Sequence, residues 1–118
     1  MGRRVLIADG NADSAESLGL LLEFYGYQVL SVHSGPEALI QTSTFRPDVA
    51  IISLHLPHLN GTQVCRKLCE CANGERPRLL IAYTNSEEER DRETCREAGF
   101  DHYLLKPADP KILMALLK

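Results

Sequence analysis

Four polar residues stand where short apolar runs end, the positions at which a side chain does chemistry instead of packing. They are Asp9 after "RRVLIA", Ser53 after "DVAII", Thr84 after "RLLIAY" and Lys106 after "FDHYLL". One carboxylate, two hydroxyls and one ammonium group, if brought together, could hold an anion or a cation or present a nucleophile. Ser53 is central, because a serine hydroxyl attacks only when a base activates it, and no base is evident beside it. As a kinase target it would be hard to reach in a strand-end crevice. The expected role is a polar plug, hydrogen-bonded in place. Asp9 and Lys106 have opposite charges, and the simplest state for them is a direct or water-bridged pair.

Bringing four strand ends to one edge requires a parallel sheet. Apolar runs alternate with helical patterns along the whole chain, the signature of βαβ units. Val49, Ala50, Ile51, Ile52 and Leu54 form a mostly β-branched run that fits a central strand covered on both faces. Around it we expect strands "RRVLIAD", "YQVLSV", "RLLIAYT" and "FDHYLLK". In the first helix Asn11 caps, Leu18, Leu21, Leu22 and Tyr25 face inward, and Gly26 ends the helix. Capping boxes at Ser34/Glu37 and Ser86/Glu89 open the second and fourth helices. The second helix turns Ala38, Thr42 and Phe45 inward, and the third Cys65, Leu68, Cys69 and Ala72. The fourth, "EEERDRETCREAG", is nearly all charge, a solvated face with only Cys95 and Ala98 as inward candidates. Right-handed crossovers then give an α/β fold: a doubly wound, five-stranded parallel sheet of order 2-1-3-4-5 with helices on both faces.

The 118 residues suffice for one domain, 1–118, with a core that needs no metal or disulfide staple. No apolar run approaches the ~20 residues of a membrane helix, and the start lacks a secretory signal, so the expected location is cytoplasmic, with four reduced cysteines. A net charge of -3 without a basic stripe argues against nucleic-acid binding by this domain.

The stretches "VLIADGNADSAESL", "ISLHLPHLNG", "IAYT" and "YLLKP", in that order and spacing, resemble the receiver domain of two-component response regulators over the whole chain. The resemblance implies a flavodoxin-like receiver fold. It makes Asp9 the first acidic residue, Thr84 the switch hydroxyl, Tyr103 the switch aromatic and Lys106 the phosphate-pairing lysine. Pro107 becomes the proline of a cis peptide bond. Two positions depart from the family pattern: Gly10 stands in place of the second acidic residue, and Ser53 in place of the phosphorylated aspartate. The family's Mg²⁺ is held by both acids, the acceptor carboxylate and a loop carbonyl, here that of His55. With two of the three carboxylates gone, and Asp13 misplaced in the first helical turn, Mg²⁺ binding is expected to be weak or absent.

The resulting expectation is a degenerate receiver, or pseudo-receiver: not an enzyme and without a cofactor, working in a phosphorelay-type system by binding a signalling partner or a second copy of itself. It stands alone or is the excised part of a longer chain. One alternative is the receiver scaffold of a hybrid kinase or larger regulator. Another is a thiol or metal sensor, prompted by Cys65, Cys69 and Cys71 with His55 and His58 upstream. That spacing does not match the paired knuckles of zinc sites, and core thiols are favoured. A haloacid-dehalogenase-like phosphatase would need a nucleophilic aspartate that "ISLHLP" lacks. In the last helix Ile112, Leu113, Met114, Leu116 and Leu117 cover an arc of about 200°, wider than the ~100° stripe one sheet face buries. An interaction surface is therefore expected at Leu113 and Leu117.

Overall fold

The computed structural model describes residues 3–70 and 76–117. Five strands and five helices alternate: β1 (Arg4–Ala8), α1 (Ala12–Phe24), β2 (Gln28–Val32), α2 (Gly35–Phe45), β3 (Val49–Ser53), α3 (Gly61–Cys69), β4 (Leu79–Thr84), α4 (Glu89–Ala98), β5 (His102–Leu105) and α5 (Pro110–Leu117). Every strand pair is parallel and the order is β2-β1-β3-β4-β5, as the alternating pattern predicts. Register is set by the apolar residues: Ile7 lies opposite Ile51 and Ile51 opposite Ile81, stacking β-branched side chains across the middle of the sheet.

Side chains alternate across a strand, so two cores form. Val5, Ile7, Val49, Ile51, Ile81, Tyr83 and Leu104 pack under α1 and α5, against Ala15, Leu18, Leu22, Leu113 and Leu117. The intervening residues Leu6, Ala8, Ala50, Ile52, Leu80 and Ala82 meet Ala38, Val64, Cys65, Leu68, Cys95 and Ala98 on the opposite face. β3 is buried along its whole length, which explains why its sequence shows no polar alternation before Ser53.

The caps mostly follow the local chemistry. Asn11 Oδ1 accepts from Ser14 N, Ser34 Oγ accepts from Glu37 N, and Gly26 takes a φ of 92° just past the C-cap of α1. Asp109 Oδ1 accepts from Lys111 N at the start of α5. Asn60 and Gln63 form a reciprocal capping box on α3, a pattern legible in the sequence but not anticipated. The box expected at Ser86 and Glu89 is not made. The helix begins two residues later than that box requires, with Glu88 as an N-cap that has no side-chain hydrogen bond, and Ser86 Oγ turns instead to the Asp91 carboxylate.

Two expectations, one of an inward residue and one of a surface, need correction. Tyr25 is the C-cap of α1 and is 49% exposed, because the helix ends before its fourth inward position. Leu113 and Leu117 are not a surface: both are fully buried against the sheet. The arc of α5 does exceed what the sheet covers, but helical periodicity does not say which edge is left out. It is Ile112, at 53% exposure. Cys71, Ala72 and the turn "NGE" lie outside the described residues.

Candidate functional site

β1 and β5 carry the two charged groups to the same edge. Lys106 follows β5, its backbone N–H held by the Thr84 carbonyl at 2.8 Å, and its peptide bond to Pro107 is cis. Its ammonium group donates to Asp9 Oδ2 at 2.8 Å and lies 5.1 Å from the centre of the Tyr83 ring. Asp9 is only 2% exposed, and its other oxygen, Oδ1, accepts from Asn11 N at 3.0 Å. A buried carboxylate must be paired and hydrogen-bonded to remain charged, and here both oxygens are engaged. The backbone of Asp9 is held as well, donating to Val32 O at 3.0 Å, while its carbonyl meets His33 Nδ1 at 2.9 Å.

Ser53 is also 2% exposed, and its hydroxyl accepts from His55 N at 3.3 Å. It is the hydrogen-bonded plug expected from its type and place. The loop it starts packs beside Gly10 and Gly35, in the segments that follow β1 and β2. Pro57 O accepts from both Leu59 N and Gly35 N, Gly61 N donates to Leu54 O, and His58 takes a φ of 70° to make the turn. A Cβ at Gly61 would collide with the Ser53 carbonyl, so the entry to α3 requires glycine. Gly10 faces the same loop: a Cβ there would lie 3.2 Å from Pro57 Cδ and 3.3 Å from the His55 carbonyl.

Thr84 and Tyr103 belong to the α4 side of the site. Thr84 is buried, its hydroxyl accepting from Ser86 N at 3.2 Å. Tyr103 is half-buried; its hydroxyl donates to Ser86 O at 2.7 Å, and the Arg92 guanidinium lies 4.5 Å from its ring centre. Both residues thus meet at Ser86, a junction that neither periodicity nor motif spacing revealed. Burial pushes the Tyr103 phenol up, outweighing the Ser86 side chain, which acts in the opposite direction. Burial likewise raises Tyr83, against the opposing hydrogen bond from Ala108 N and with the Asp9 charge adding to it.

The described cysteines belong to the core, with Cys69 partly buried against the cluster that contains Cys65 and Cys95. Cys65 and Cys95 are buried free thiols; burial pushes both up, Cys95 to about 11, and Cys69 adds to the rise at Cys65. Among the described residues no cluster of three or more His, Cys, Asp or Glu side chains could hold a metal ion.

So the structure joins Asp9 to Lys106, and Thr84 to Tyr103 through Ser86, while Ser53 bonds to its own loop. The comparisons place this arrangement among known proteins. The family model described as the response regulator receiver domain matches residues 5–118. The DNA-binding response regulator MtrA of Mycobacterium tuberculosis is 34% identical over all 118 residues, which make up 50% of that protein. Response regulator MprA of Mycobacterium ulcerans is 35% identical over the same length and again 50% covered, so the chain spans about half of these curated relatives. Among solved structures, a putative response regulator from Chloroflexus aurantiacus superposes with a TM-score of 0.93 at 30% identity, covering 100% of this chain and 96% of that one. The receiver domain of the sensor histidine kinase PA1611 from Pseudomonas aeruginosa, solved with a magnesium ion in its active-site cleft, gives 0.89 at 30% identity, covering 99% and 95%. The chain therefore belongs to the receiver domain family of two-component response regulators.

Proposed function

We propose that this domain is a receiver that signals by binding another protein, without aspartyl phosphorylation and without chemistry of its own. The observation that carries this reading is the state of Asp9, whose two carboxylate oxygens are taken by Lys106 Nζ and Asn11 N beside a serine where the family pattern has its acceptor aspartate. A carboxylate attacks a phosphoryl group directly, whereas the Ser53 hydroxyl would need a base, and its recorded hydrogen bond is from a backbone N–H.

The donor set does not fit the family's Mg²⁺. Ser53 offers a hydroxyl where the family pattern has a carboxylate, Gly10 contributes no side chain where it has a second acid, and the His55 carbonyl lies against Gly10. A small, strongly hydrated ion that favours anionic oxygen would have to displace Lys106 from Asp9. Without metal or phosphate, the ammonium group of Lys106 has Asp9 as its counter-ion and holds β1 to β5. On this reading the partner is a protein in a cytoplasmic two-component system, and the domain signals by presence or abundance, not by a phosphate-driven population shift.

The test is direct. After incubation with acetyl phosphate and Mg²⁺, intact-mass spectrometry is expected to show no adduct, and beryllofluoride no change in the NMR spectrum. A phosphate adduct that disappears in Ser53→Ala would overturn the proposal. In the same assay Ser53→Asp alone is expected to recover little Mg²⁺ affinity. Adding Gly10→Asp is expected to recover more, because the second acid supplies the missing charge once Pro57 gives way by a few tenths of an ångström. Equal Mg²⁺ affinity in the single and double variants would refute this account of the ligands.

A further inference from the structure

Among the described residues, three of the five large exposed apolar side chains lie on α1 or at its C-cap, Leu20 at 60% exposure, Phe24 at 83% and Tyr25 at 49%, while Ile40 and Ile112 stand alone on α2 and α5. Leu20 also lines a groove of about 320 Å³ between α1 and the edge strand β2, with Glu16, Gly19 and Glu23 on the helix side and Val29 and His33 on the strand side. The groove exists because β2 lies at the end of the sheet and α1 covers only part of its outer face.

Three features define what would fit. First, the charge is of one sign: α1 contains Asp13, Glu16 and Glu23 and no lysine or arginine. Among the described residues neither Glu16 nor Glu23 has an ion-pair partner. His33 closes the strand side of the groove, its Nδ1 donating to the Asp9 carbonyl. Second, the carboxylates lie seven residues apart, roughly 10 Å along the helix, with Leu20 between them at i+4. Third, Gly19 is disfavoured against alanine in a helix interior, and its backbone does not demand glycine. A Cβ there would meet Val29 Cγ1 at 3.5 Å, an ordinary contact, so glycine's effect is to leave the floor of the groove open.

We infer that this groove docks a basic amphipathic helix of a partner protein, with lysine or arginine at i and i+7 facing Glu16 and Glu23 and an apolar residue between them on Leu20. Helix-in-groove recognition uses this i, i+4, i+7 reading, and the charges set orientation and encounter rate more than affinity. The inference rests on the reading that the domain works by binding a protein, but not on the chemistry of Ser53.

The experiment titrates ¹⁵N-labelled protein with a synthetic amphipathic peptide bearing two lysines seven residues apart and leucines between them. Shifts are expected at Gly19, Val29 and Ser31, with weaker binding as salt rises. Glu16→Lys with Glu23→Lys, both solvent-exposed sites, is expected to weaken binding at least tenfold while leaving the circular dichroism spectrum unchanged. Gly19→Ala, which fills the floor, is expected to weaken it without unfolding. Absence of binding by the lysine peptide, equal binding by its glutamate counterpart, or shifts that map elsewhere would each overturn the inference. So would binding to anionic lipid vesicles in place of the peptide. A phosphate adduct on Ser53 would sink the proposed function and leave this groove standing, whereas a silent peptide titration would do the reverse.

Discussion

The crevice at the strand ends and the groove beside α1 share His33, whose ring reaches the Asp9 carbonyl from the wall of the groove, yet they treat a carboxylate in opposite ways. Asp9, out of water, is saturated by an ammonium group and a backbone N–H. Glu16 and Glu23 stand in solvent beside exposed Leu20 without an ion-pair partner among the described residues. Burial forces a charge to find its partner inside the fold, and exposure leaves it for a partner outside. Polar residues at a family's catalytic positions are therefore not by themselves evidence of an active site. On the proposed reading the satisfied cluster is structural, and the unsatisfied surface is the candidate for binding.

The largest effect should come from treating the last helix as surface. Leu117→Glu places a charge in a fully buried position, and we expect loss of the fold, at about 4 kcal/mol or more, instead of a weakened dimer. Chemical denaturation would read this, and a stable, folded variant would return Leu117 to the list of interface candidates. Asp9→Ala comes next. It leaves Lys106 facing a buried edge without its counter-ion, and because the lysine is 21% exposed the loss should be about 2–3 kcal/mol, toward the lower end for broken buried pairs. A loss near zero would mean that the pair does not hold the crevice shut.

Smaller still is the effect of the core thiols. Burial lifts Cys95 from an ordinary 9.0 to about 11, so in alkaline solution the unfolded chain loses that proton before the folded one does. The stabilisation is complete below about pH 9 and is lost as pH rises toward about 11. Cys95→Ala should flatten the stability slope in that window, and native protein should resist thiol reagents at Cys65 and Cys95. Rapid modification of either would revive the thiol-sensor reading. At the bottom of the scale, Phe24→Ala should change stability by less than about 0.5 kcal/mol, since the side chain is mostly in water. A larger loss would show that α1 needs Phe24 for folding and would remove its reason for being a binding element.

Much of this was legible in the chain. The alternation of apolar runs with helical patterns gave strand number, order and direction, because a parallel sheet buried on both faces leaves few other topologies. Asn11, Ser34 and Asp109 cap as their types predict, since caps depend on neighbours within a few residues. The pairing of Asp9 with Lys106 followed from motif order and opposite charge. The failures share a cause. At Ser86, local preference offered a capping box, but Asp91 and Tyr103 both reach that residue and redirect it. For α5, periodicity measured the width of the apolar arc, while the direction from which the helix meets the sheet decided that Ile112, not Leu113 or Leu117, stays outside.

The sequence by itself determined the fold, the family and the residue types at the strand ends, because these rest on periodicity and on chemistry local to the chain. Only the tertiary structure decided which polar groups are satisfied. Asp9 and Lys106 lie ninety-seven residues apart and share one hydrogen bond. Glu16 and Glu23 lie on one helix and, among the described residues, share none. Satisfaction depends on what packing brings within about 3 Å and on how much water it leaves, and neither quantity is a property of any short stretch of sequence.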